Sequence, residues 1–305
     1  MTQAPVIIEA AINGIANKTR NPHVPCTPAE IAADALACLA AGAAIVHNHI
    51  DRVGDGAAAA ARYLEGWRPV LAARPDAIIY PTIGFGPDVQ ARYAHIELLA
   101  QACAMRQSVF DPGSVNLGGV GDDGLPGGAI DFVYANTFND VRHMAALCEA
   151  QGLGPSIAIF EPGFLRVVLA YHRAARLPRG AFVKLYFGGD FDYLGGAGKG
   201  VSFGLPPTRA ALQAYLQMLD GCDVPWAVAV IGGDVVASGV ARLALERGGH
   251  LRVGLEDYAG TRQPTNAALV EEAVALVRAA GRPLAGCAEA ARLLDLPPRH
   301  RAEPA

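Results

Sequence analysis

Two segments far apart in the chain carry the residue types that bind metals and move protons. The first, AAIVHNHID, places His47 and His49 two residues apart at the end of an apolar run. The second, GGHLRVGLEDYAG, places Arg252, Glu256 and Asp257 at the end of another. Two imidazoles and a carboxylate can hold one ion and leave coordination positions open for a substrate. The sequence therefore predicts a metal site, provided that the fold brings the two segments together.

The spacing within each segment decides which side chains can meet. Successive side chains of a strand point to opposite faces, so His47 and His49 share a face. Arg252 and Glu256 also share a face, whereas Asp257 points the other way unless the strand has already turned. Glu256 is the expected third ligand, with a rim carboxylate paired to Arg252 as the alternative. Asp257 is either a base that reaches over the rim or a cap for the next helix.

An HxH pair is by itself a weak indication of metal, because a histidine is more often packed in a core or lies on the surface. Two imidazoles at the end of a run as apolar as AAIV nevertheless need polar partners, and one ion would satisfy both. The other histidines lack a comparable setting, and His95, His143 and His172 are expected on helices.

Eight repeats of a short apolar run and a longer alanine- and leucine-rich stretch would position these residues. The predicted strands are 6–14, 43–50, 77–84, one within the segment 107–118, 155–163, 182–189, 226–233 and 250–257. The first helix is expected between a capping box at Thr27 and Glu30 and a stop at Gly42. The other predicted helices are about 57–73, 88–103, 137–152, 164–176, 208–220, 234–247 and 266–281. Continuous apolar runs are typical of parallel strands that helices cover on both faces.

This order predicts an α/β fold, a single (β/α)8 TIM barrel domain over residues 1–305 with a short C-terminal extension from about 293 to 305. An open doubly wound sheet is the alternative, but its GxGxxG signal is absent because the first turn reads NGIANK. In a barrel, the carboxyl ends of the strands form the rim that carries the active site. Polar residues gather at these ends, which indicates an enzyme: Asn13, His47, His49, Thr82, Asp111, Glu161 and Asp257.

Composition narrows the class of protein. Hydrophobic residues make up 52% of the chain and charged residues 18%, which argues against disorder. The net charge of −4 comes without a basic tract, so binding to nucleic acid or to a membrane surface has little support. The N-terminus lacks a signal-peptide pattern, and no apolar run reaches the roughly 20 residues of a membrane helix. The six cysteines show no paired spacing and are expected as reduced thiols, so the expected compartment is the cytoplasm.

Several motifs together resemble one known family, the β-keto acid cleavage enzymes. They are EAAING, NPHVPCTPAEIAADALACLAAGAAIVHNHI, GSVNLG, PWAVAVIGG and GGHLRVGLED, and the matches run from residue 6 to about 285. The resemblance implies a zinc-dependent barrel that forms a homo-oligomer, either a tetramer or a dimer. It also implies that a β-keto acid and acetyl-CoA condense, and that a retro-Claisen step then releases acetoacetate and a shortened acyl-CoA.

The resemblance also implies roles for individual residues. His47, His49 and Glu256 correspond to the ligands of one Zn2+ per chain. Asp257 corresponds to the general base, and Arg252 corresponds to its electrostatic partner. These assignments suit the reaction, since a metal polarises a ketone and a carboxylate takes a proton.

The predicted substrate-binding residues are Asn13, Thr82, Gly84 and Glu161, and here the chain departs from the family pattern. An acidic residue that binds the substrate's amino group in the founding member is replaced in the loop GIANK, where Lys18 follows Asn17. A serine-threonine-glycine-glycine motif after strand three is here PTIG, and the arginine common after strand seven is replaced in IGGD.

Four side chains keep two interpretations each. Lys18 either favours an anionic substrate tail or is a solvated loop lysine. Glu161 either contacts the substrate or caps a helix. Glu9 either orients a metal ligand or pairs with Lys184 or Arg252. Lys184 itself could form the Schiff base of an aldolase, since a desolvated lysine has the lowered pKa that this chemistry needs.

Two further readings of the barrel are possible. A zinc amidohydrolase is disfavoured, because the predicted fifth and sixth strands lack histidines. A metal-free binding barrel without catalysis is the remaining alternative to an enzyme.

Overall fold

The computed structural model describes residues 4–52, 54–191 and 200–298. Its strands, in chain order, are β1 Ile8–Ala11, β2 Ile45–Asn48, β3 Ile78–Pro81, β4 Gln107–Phe110, β5 Val115–Val120, β6 Pro126–Tyr134, β7 Gly154–Ile159, β8 Phe182–Gly188, β9 Trp226–Ile231 and β10 His250–Val253. Its helices are α1 Pro28–Ala41, α2 Gly56–Ala73, α3 Val89–Ala102, α4 Phe138–Gln151, α5 Pro162–Arg173, α6 Arg209–Met218, α7 Val240–Glu246, α8 Asn266–Ala279 and α9 Cys287–Leu293.

Eight of the described strands form one parallel sheet in the order β3-β2-β1-β10-β9-β8-β7-β4. The two end strands, β3 and β4, also lie against each other, so the sheet is nearly closed into a barrel. Helices follow the strands and cover the outside with a large apolar core, in which Trp67, Tyr93 and Tyr215 are buried. The predicted (β/α)8 barrel is confirmed.

The floor of the barrel is apolar and closed. Ile7, Ile45, Ile78 and Phe182 point into it from four strands, and side chains of α9 and of the turn after it pack against them. His95, His143 and His172 lie on helices, as predicted. One polar side chain also lies at the level of the floor: His250 Nδ1 accepts a hydrogen bond from the Ile7 amide at 3.0 Å, and its ring lies 5.7 Å from that of Phe182.

The first helix begins and ends where the sequence predicts. Thr27 Oγ1 accepts a hydrogen bond from the Glu30 amide at 3.3 Å, and Glu30 Oε2 accepts from the Thr27 amide at 3.0 Å. Gly42 ends the helix with φ at 120°, a conformation that favours glycine. This helix leads directly into β2, which carries both histidines.

The segment 107–118 holds the predicted fourth strand at its start. β4 stops at Phe110, and the next residues turn into an antiparallel hairpin of β5 and β6 that stands between β4 and α4. Pro112 has no amide hydrogen to continue the ladder, and a Cβ on Gly113 would lie 2.4 Å from the ring of Phe164. The hairpin was missed because VNLGG reads as a continuation of the strand.

One predicted helix also differs from the structure. The segment 234–247 begins as a turn, since Asp234 Oδ1 accepts from the amides of Val236 and Ala237, and α7 follows only at Val240. The last helix, α9, covers Cys287–Leu293, and the predicted extension from about 293 begins where this helix ends. Residues 299–305 of that extension lie outside the described residues. Across the described ranges, no helix is long and apolar enough to cross a membrane.

Candidate active site

Strand order brings the two chemistry-bearing segments together. β1 pairs with β2 on one side and with β10 on the other. Ala11 is in register with His47, and Glu9 is in register with Arg252. The histidines and the arginine therefore lie on either side of a single strand, at the carboxyl ends where barrels carry their active sites.

His47, His49 and Glu256 form a cluster with the geometry of metal ligands. His47 Nε2 lies 3.3 Å from Glu256 Oε2, and His49 Nε2 lies 3.5 Å from Glu256 Oε1. One donor atom from each residue lies within 4.8 Å of the other two. Ligand atoms around a tetrahedral zinc with bonds of about 2.0–2.1 Å are about 3.3–3.4 Å apart. The two measured separations are close to this value.

Two ligand atoms of this cluster lack hydrogen-bond partners among the described residues. His49 Nε2 and Glu256 Oε2 are buried, and neither has a hydrogen-bond partner among the described residues. A buried polar atom without a partner is costly, so atoms in this position are usually bound to something. The residues present therefore fit a bound cation that prefers nitrogen and oxygen ligands.

The charge states in the cluster suit a cation. Burial lowers the pKa of His47 to about 4, so its ring is neutral near pH 7, which is the form that binds metals. Burial alone would raise the pKa of Glu256, but His47 and the Arg252 guanidinium hold it well below the ordinary value. Glu256 is thus an anion that faces a neutral imidazole.

Arg252 contacts both carboxylates that follow it. Its Nη2 lies 3.0 Å from Glu256 Oε1, and its Nε donates to Asp257 Oδ2 at 2.7 Å. β10 has turned by then: Gly254 has φ at 134°, and a Cβ there would lie 2.0 Å from the Ala11 carbonyl oxygen. The turn brings Asp257 to the same side as Arg252. Burial raises the pKa of Asp257 to about 6, although Arg252 opposes the shift.

Asn13, a predicted substrate residue, braces the backbone of His49. Its Oδ1 accepts from the amides of His49 at 2.8 Å and Gly14 at 2.9 Å. Its Nδ2 donates to the carbonyls of Pro25 and His49. These four hydrogen bonds use the ordinary capacity of a side-chain amide.

Asn266 fixes the other segment in a similar way. Its Oδ1 accepts from the Leu255 amide at 2.8 Å, and its Nδ2 donates to the Ile12 carbonyl at 2.7 Å and to Asp34 Oδ2 at 2.6 Å. It thereby ties the end of β1 to the turn that carries Glu256. Sequence reasoning missed this role, because an asparagine next to the cap Thr265 reads as an ordinary helix start.

A buried charge network lies beside the metal cluster. Glu9 Oε1 accepts from Arg252 Nη1 at 2.6 Å and from the Tyr80 hydroxyl at 2.6 Å. Lys184 Nζ donates to the Tyr80 hydroxyl at 2.8 Å and lies 3.5 Å from Glu9. Glu9 therefore pairs with both Lys184 and Arg252, the two partners named for it from the sequence. The Tyr80 ring also lies 4.5 Å from the His47 ring, so the network touches the metal cluster.

The pKa values of this network favour ion pairing. Burial alone would raise the pKa of Glu9, but Lys184 and Arg252 bring it down to about 2. Burial lowers the pKa of Lys184, as the aldolase alternative requires, although Glu9 opposes that shift.

Thr82 and Gly84 lie in a loop whose backbone is held by the helices behind it. His95 Nε2 lies 2.8 Å from the Thr82 carbonyl, and the Thr82 amide donates to the Tyr63 hydroxyl. The Gly84 amide donates to the Arg92 carbonyl at 2.8 Å. The loop therefore has a fixed backbone at the rim.

Glu161 and Lys18 are engaged elsewhere on the rim. Glu161 occupies the N-cap position of α5 without a side-chain cap, and its Oε1 accepts from the Gly204 amide at 2.9 Å. Lys18 forms an exposed ion pair with Glu30. In this arrangement Glu161 braces the segment after residue 200, and Lys18 braces the start of α1.

Comparison with known proteins places this geometry in a family. A model of the beta-keto acid cleavage enzymes matches residues 5–296. The chain belongs to this family. The resemblance seen in its motifs is thereby confirmed over nearly the whole chain.

Three relatives of this β-keto acid cleavage enzyme are full-length matches. The 3-keto-5-aminohexanoate cleavage enzyme of Fusobacterium nucleatum is 29% identical over 95% of this chain and 98% of its own. The 3-dehydrocarnitine:acetyl-CoA trimethylamine transferase of Rhizobium meliloti is 29% identical over 96% and 97%. The 3-oxoadipate:acetyl-CoA acetyltransferase of Cupriavidus necator is 30% identical over 97% and 96%. Relatives of the chain are thus β-keto acid cleavage enzymes and acetyl-CoA transferases.

A solved structure supports the fold alone. The apo structure of ObcA matches with a TM-score of 0.68 at 16% identity, and the match covers 90% of this chain and 66% of that one. The β-keto acid cleavage enzyme described here therefore shares its barrel with a protein of distant sequence.

Proposed function

We propose that this protein is a zinc-dependent enzyme that cleaves a β-keto acid with acetyl-CoA and releases acetoacetate and a shortened acyl-CoA. The observation that carries the proposal is the position of Glu256. One side of its carboxylate faces His47 and His49, and Arg252, which also holds Asp257, contacts it from another direction. A metal cluster and a proton acceptor are thus joined through one guanidinium.

In the proposal each residue has a distinct task. His47, His49 and Glu256 would hold the ion. A bound zinc supplies Lewis acidity that polarises the ketone of the substrate. Asp257, a buried carboxylate at the rim, would take a proton from C2 of the β-keto acid, so that this carbon can attack the thioester carbonyl of acetyl-CoA and release CoA. The released CoA would then attack the ketone, and cleavage of the bond between C2 and C3 would give acetoacetate and the shortened acyl-CoA. Arg252 would keep that carboxylate oriented and stabilise negative charge on the reacting oxygens.

The remaining predicted site residues support this arrangement. Asn13 would set the position of His49 through its backbone, and Thr82 and Gly84 would line the entrance from a fixed loop. Glu161 would act through the segment that its carboxylate holds rather than by touching the keto acid. The proposed form of the enzyme is a cytoplasmic tetramer or dimer, which light scattering of the purified protein would test.

An aldolase that uses Lys184 is the second candidate, and the lowered pKa of this lysine favours it. Its ammonium group, however, contacts Glu9 and Tyr80, and both partners would have to be given up before the nitrogen could attack a carbonyl. Borohydride reduction in the presence of substrate would trap the adduct as a mass increase on Lys184. We expect no adduct.

The decisive experiment is a panel of β-keto acids incubated with acetyl-CoA and scored for acetoacetate. The zinc-loaded protein should form acetoacetate from at least one member, and the chelated protein should form none until zinc is restored. Full activity after complete removal of metal would overturn the metal-dependent proposal. Acetoacetate from no member of a wide panel would count against the reaction itself.

A further inference from the structure

A buried carboxylate outside the metal cluster faces the mouth of the barrel from β4. Asp111 directly follows this strand and is 5% exposed. Val109 is in register with Ser156 of β7, and Asp111 lies two residues beyond it, on the face that points into the barrel. Burial raises the pKa of Asp111, and the charges of Lys184 and Arg252 oppose this shift, so Asp111 lies within electrostatic range of both cations.

Only one oxygen of Asp111 has a partner. The Tyr134 hydroxyl on β6 donates to Oδ2 at 2.5 Å. The other oxygen, Oδ1, is buried and has no hydrogen-bond partner among the described residues. An ionised carboxylate can only accept hydrogen bonds, so Oδ1 is a site for a donor that these residues do not provide.

The buried cations nearby are bound to other carboxylates. Lys184 lies against Glu9, and Arg252 contacts Glu9, Glu256 and Asp257. Within the described part of the chain, no lysine, arginine or histidine nitrogen forms an ion pair with Asp111. Its side-chain hydrogen-bond partner there is a neutral phenol, and a buried anion without a directly bound counter-ion is disfavoured.

Tyr134, the hydrogen-bond partner of Asp111, begins a row of aromatic rings. The ring of Tyr134 lies 6.4 Å from that of Phe160, which in turn lies 4.9 Å from that of Tyr186. Aromatic faces attract cations, and their carbon atoms exclude water from around a charge. A carboxylate with a free oxygen beside such rings is the arrangement that recognises ammonium groups.

We propose that Asp111, together with Tyr134 and Phe160, binds a positively charged ammonium or alkylammonium group on the side chain of the substrate. The inference rests on the proposed function, because it concerns the tail of the β-keto acid whose reacting end the metal cluster would hold. Asp111 supplies the countercharge, Tyr134 fixes the orientation of the carboxylate, and the rings form the wall of the pocket. Asp111 is in this view a specificity residue that takes no part in the bond-breaking steps.

The test compares β-keto acids of matched length that end in an amino, a hydroxyl or a carboxylate group. With the zinc-loaded protein and acetyl-CoA, kcat/KM for the amino-terminated β-keto acid should exceed kcat/KM for the hydroxyl-terminated one by about 10- to 100-fold. This is the ratio expected from one charged hydrogen bond. Asp111→Asn should remove this preference, chiefly by raising KM for the amino-terminated substrate. Tyr134→Phe should weaken the preference, and Asp122→Asn on the exposed tip of the same hairpin should not alter it.

Each outcome decides for or against the inference. If the wild-type protein cleaves the hydroxyl-terminated and the amino-terminated β-keto acids with equal kcat/KM, the inference is overturned and the proposed function still stands. An equal loss on all three acids in a folded Asp111→Asn protein also overturns it, because Asp111 would then serve the shared chemistry. If none of the three β-keto acids is cleaved, the proposed function fails. The inference about Asp111 is then decided by calorimetric measurement of the binding of the unreactive β-hydroxy analogues. Tighter binding of the amino analogue that Asp111→Asn abolishes supports the inference, and equal binding of all analogues overturns it.

Discussion

Arg252 donates through Nε to Asp257 at 2.7 Å, although the end of β10 and a glycine turn separate the two residues. The same guanidinium lies 3.0 Å from Glu256. One side chain thus sets the distance between a metal-ligand position and a candidate base. Glu9 accepts a hydrogen bond from Arg252 Nη1 at 2.6 Å, so the guanidinium has little freedom to move. The positions of the two carboxylates that it contacts are therefore fixed as well.

Replacing Asp257 should separate proton transfer from metal binding. Asp257→Asn keeps the shape of the side chain and its contact with Arg252 but removes the basic oxygen. We expect zinc content to stay at one per chain while kcat falls by about 100-fold or more. Metal analysis and acetoacetate formation measure the two quantities. The exposed Asp220→Asn serves as the control, and near-normal turnover of Asp257→Asn would remove Asp257 as the base.

Removing one imidazole should abolish metal binding. His49→Ala deletes one of three donors, and we expect the protein to lose bound zinc and all turnover. Added zinc should raise the melting temperature of the wild type, because it binds the native state, and should not raise that of the variant. His172→Ala, on the outer helix α5, is the matched control. A variant that retains full metal content would disprove the assignment of His49.

Removing Glu9 should destabilise the barrel through uncompensated charge. Glu9→Gln leaves Lys184 buried without its carboxylate, and loss of one partner of a buried pair costs about 3–5 kcal/mol of unfolding free energy. Lys184→Met in the same chain should recover part of this loss, since the orphaned charge is then gone. Urea denaturation of the two single variants and the double variant measures the coupling. Strictly additive effects would show that the two residues are independent.

Asp34 should make stability depend on pH. Burial raises its pKa from 3.8 to about 6, so the native state holds the proton more tightly than the unfolded chain does. Stability should therefore fall as pH rises from about 4 to about 6 and stay lower above that range, by at most about 3 kcal/mol. Asp34→Asn keeps an acceptor for Asn266 but cannot ionise.

The Asp34→Asn protein should be more stable than the wild type at pH 8 and nearly equal to it at pH 4. Denaturant midpoints at the two pH values measure the difference. Asp220→Asn, at the exposed end of α6, should leave both midpoints unchanged. An equal gain at both pH values would trace the effect to something other than ionisation.

The features that could be predicted from the sequence are those that depend on local patterns. Alternation along β2 places His47 and His49 on one face, and the order of eight apolar runs places β2 and β10 on either side of β1. The direction of Asp257 could not be derived, because it depends on how Gly254 turns against Ala11, a contact between distant parts of the chain. The polar partners of Asn13 come from the loop before α1 and from β2, so its bracing role is tertiary as well.

The hairpin escaped prediction for a related reason. Its two strands pair with each other and lie outside the parallel sheet. The alternation of strands and helices along the sequence therefore does not predict them. Tyr134 became visible as a neighbour of Asp111 only when the hairpin folded back over the end of β4. Strand patterns report which face a residue occupies, but they do not report which insertion covers it.

The hairpin has a consequence for how this enzyme could diversify. Asp111 and Tyr134 are the two ends of one uninterrupted stretch that leaves the barrel after β4 and returns to it before α4, whereas the groups of the metal cluster come from opposite ends of the gene. Exchange of that single stretch between related barrels would alter what surrounds the tail of a substrate in one genetic event. The strands that carry the histidines and the guanidinium would pass through such an exchange untouched.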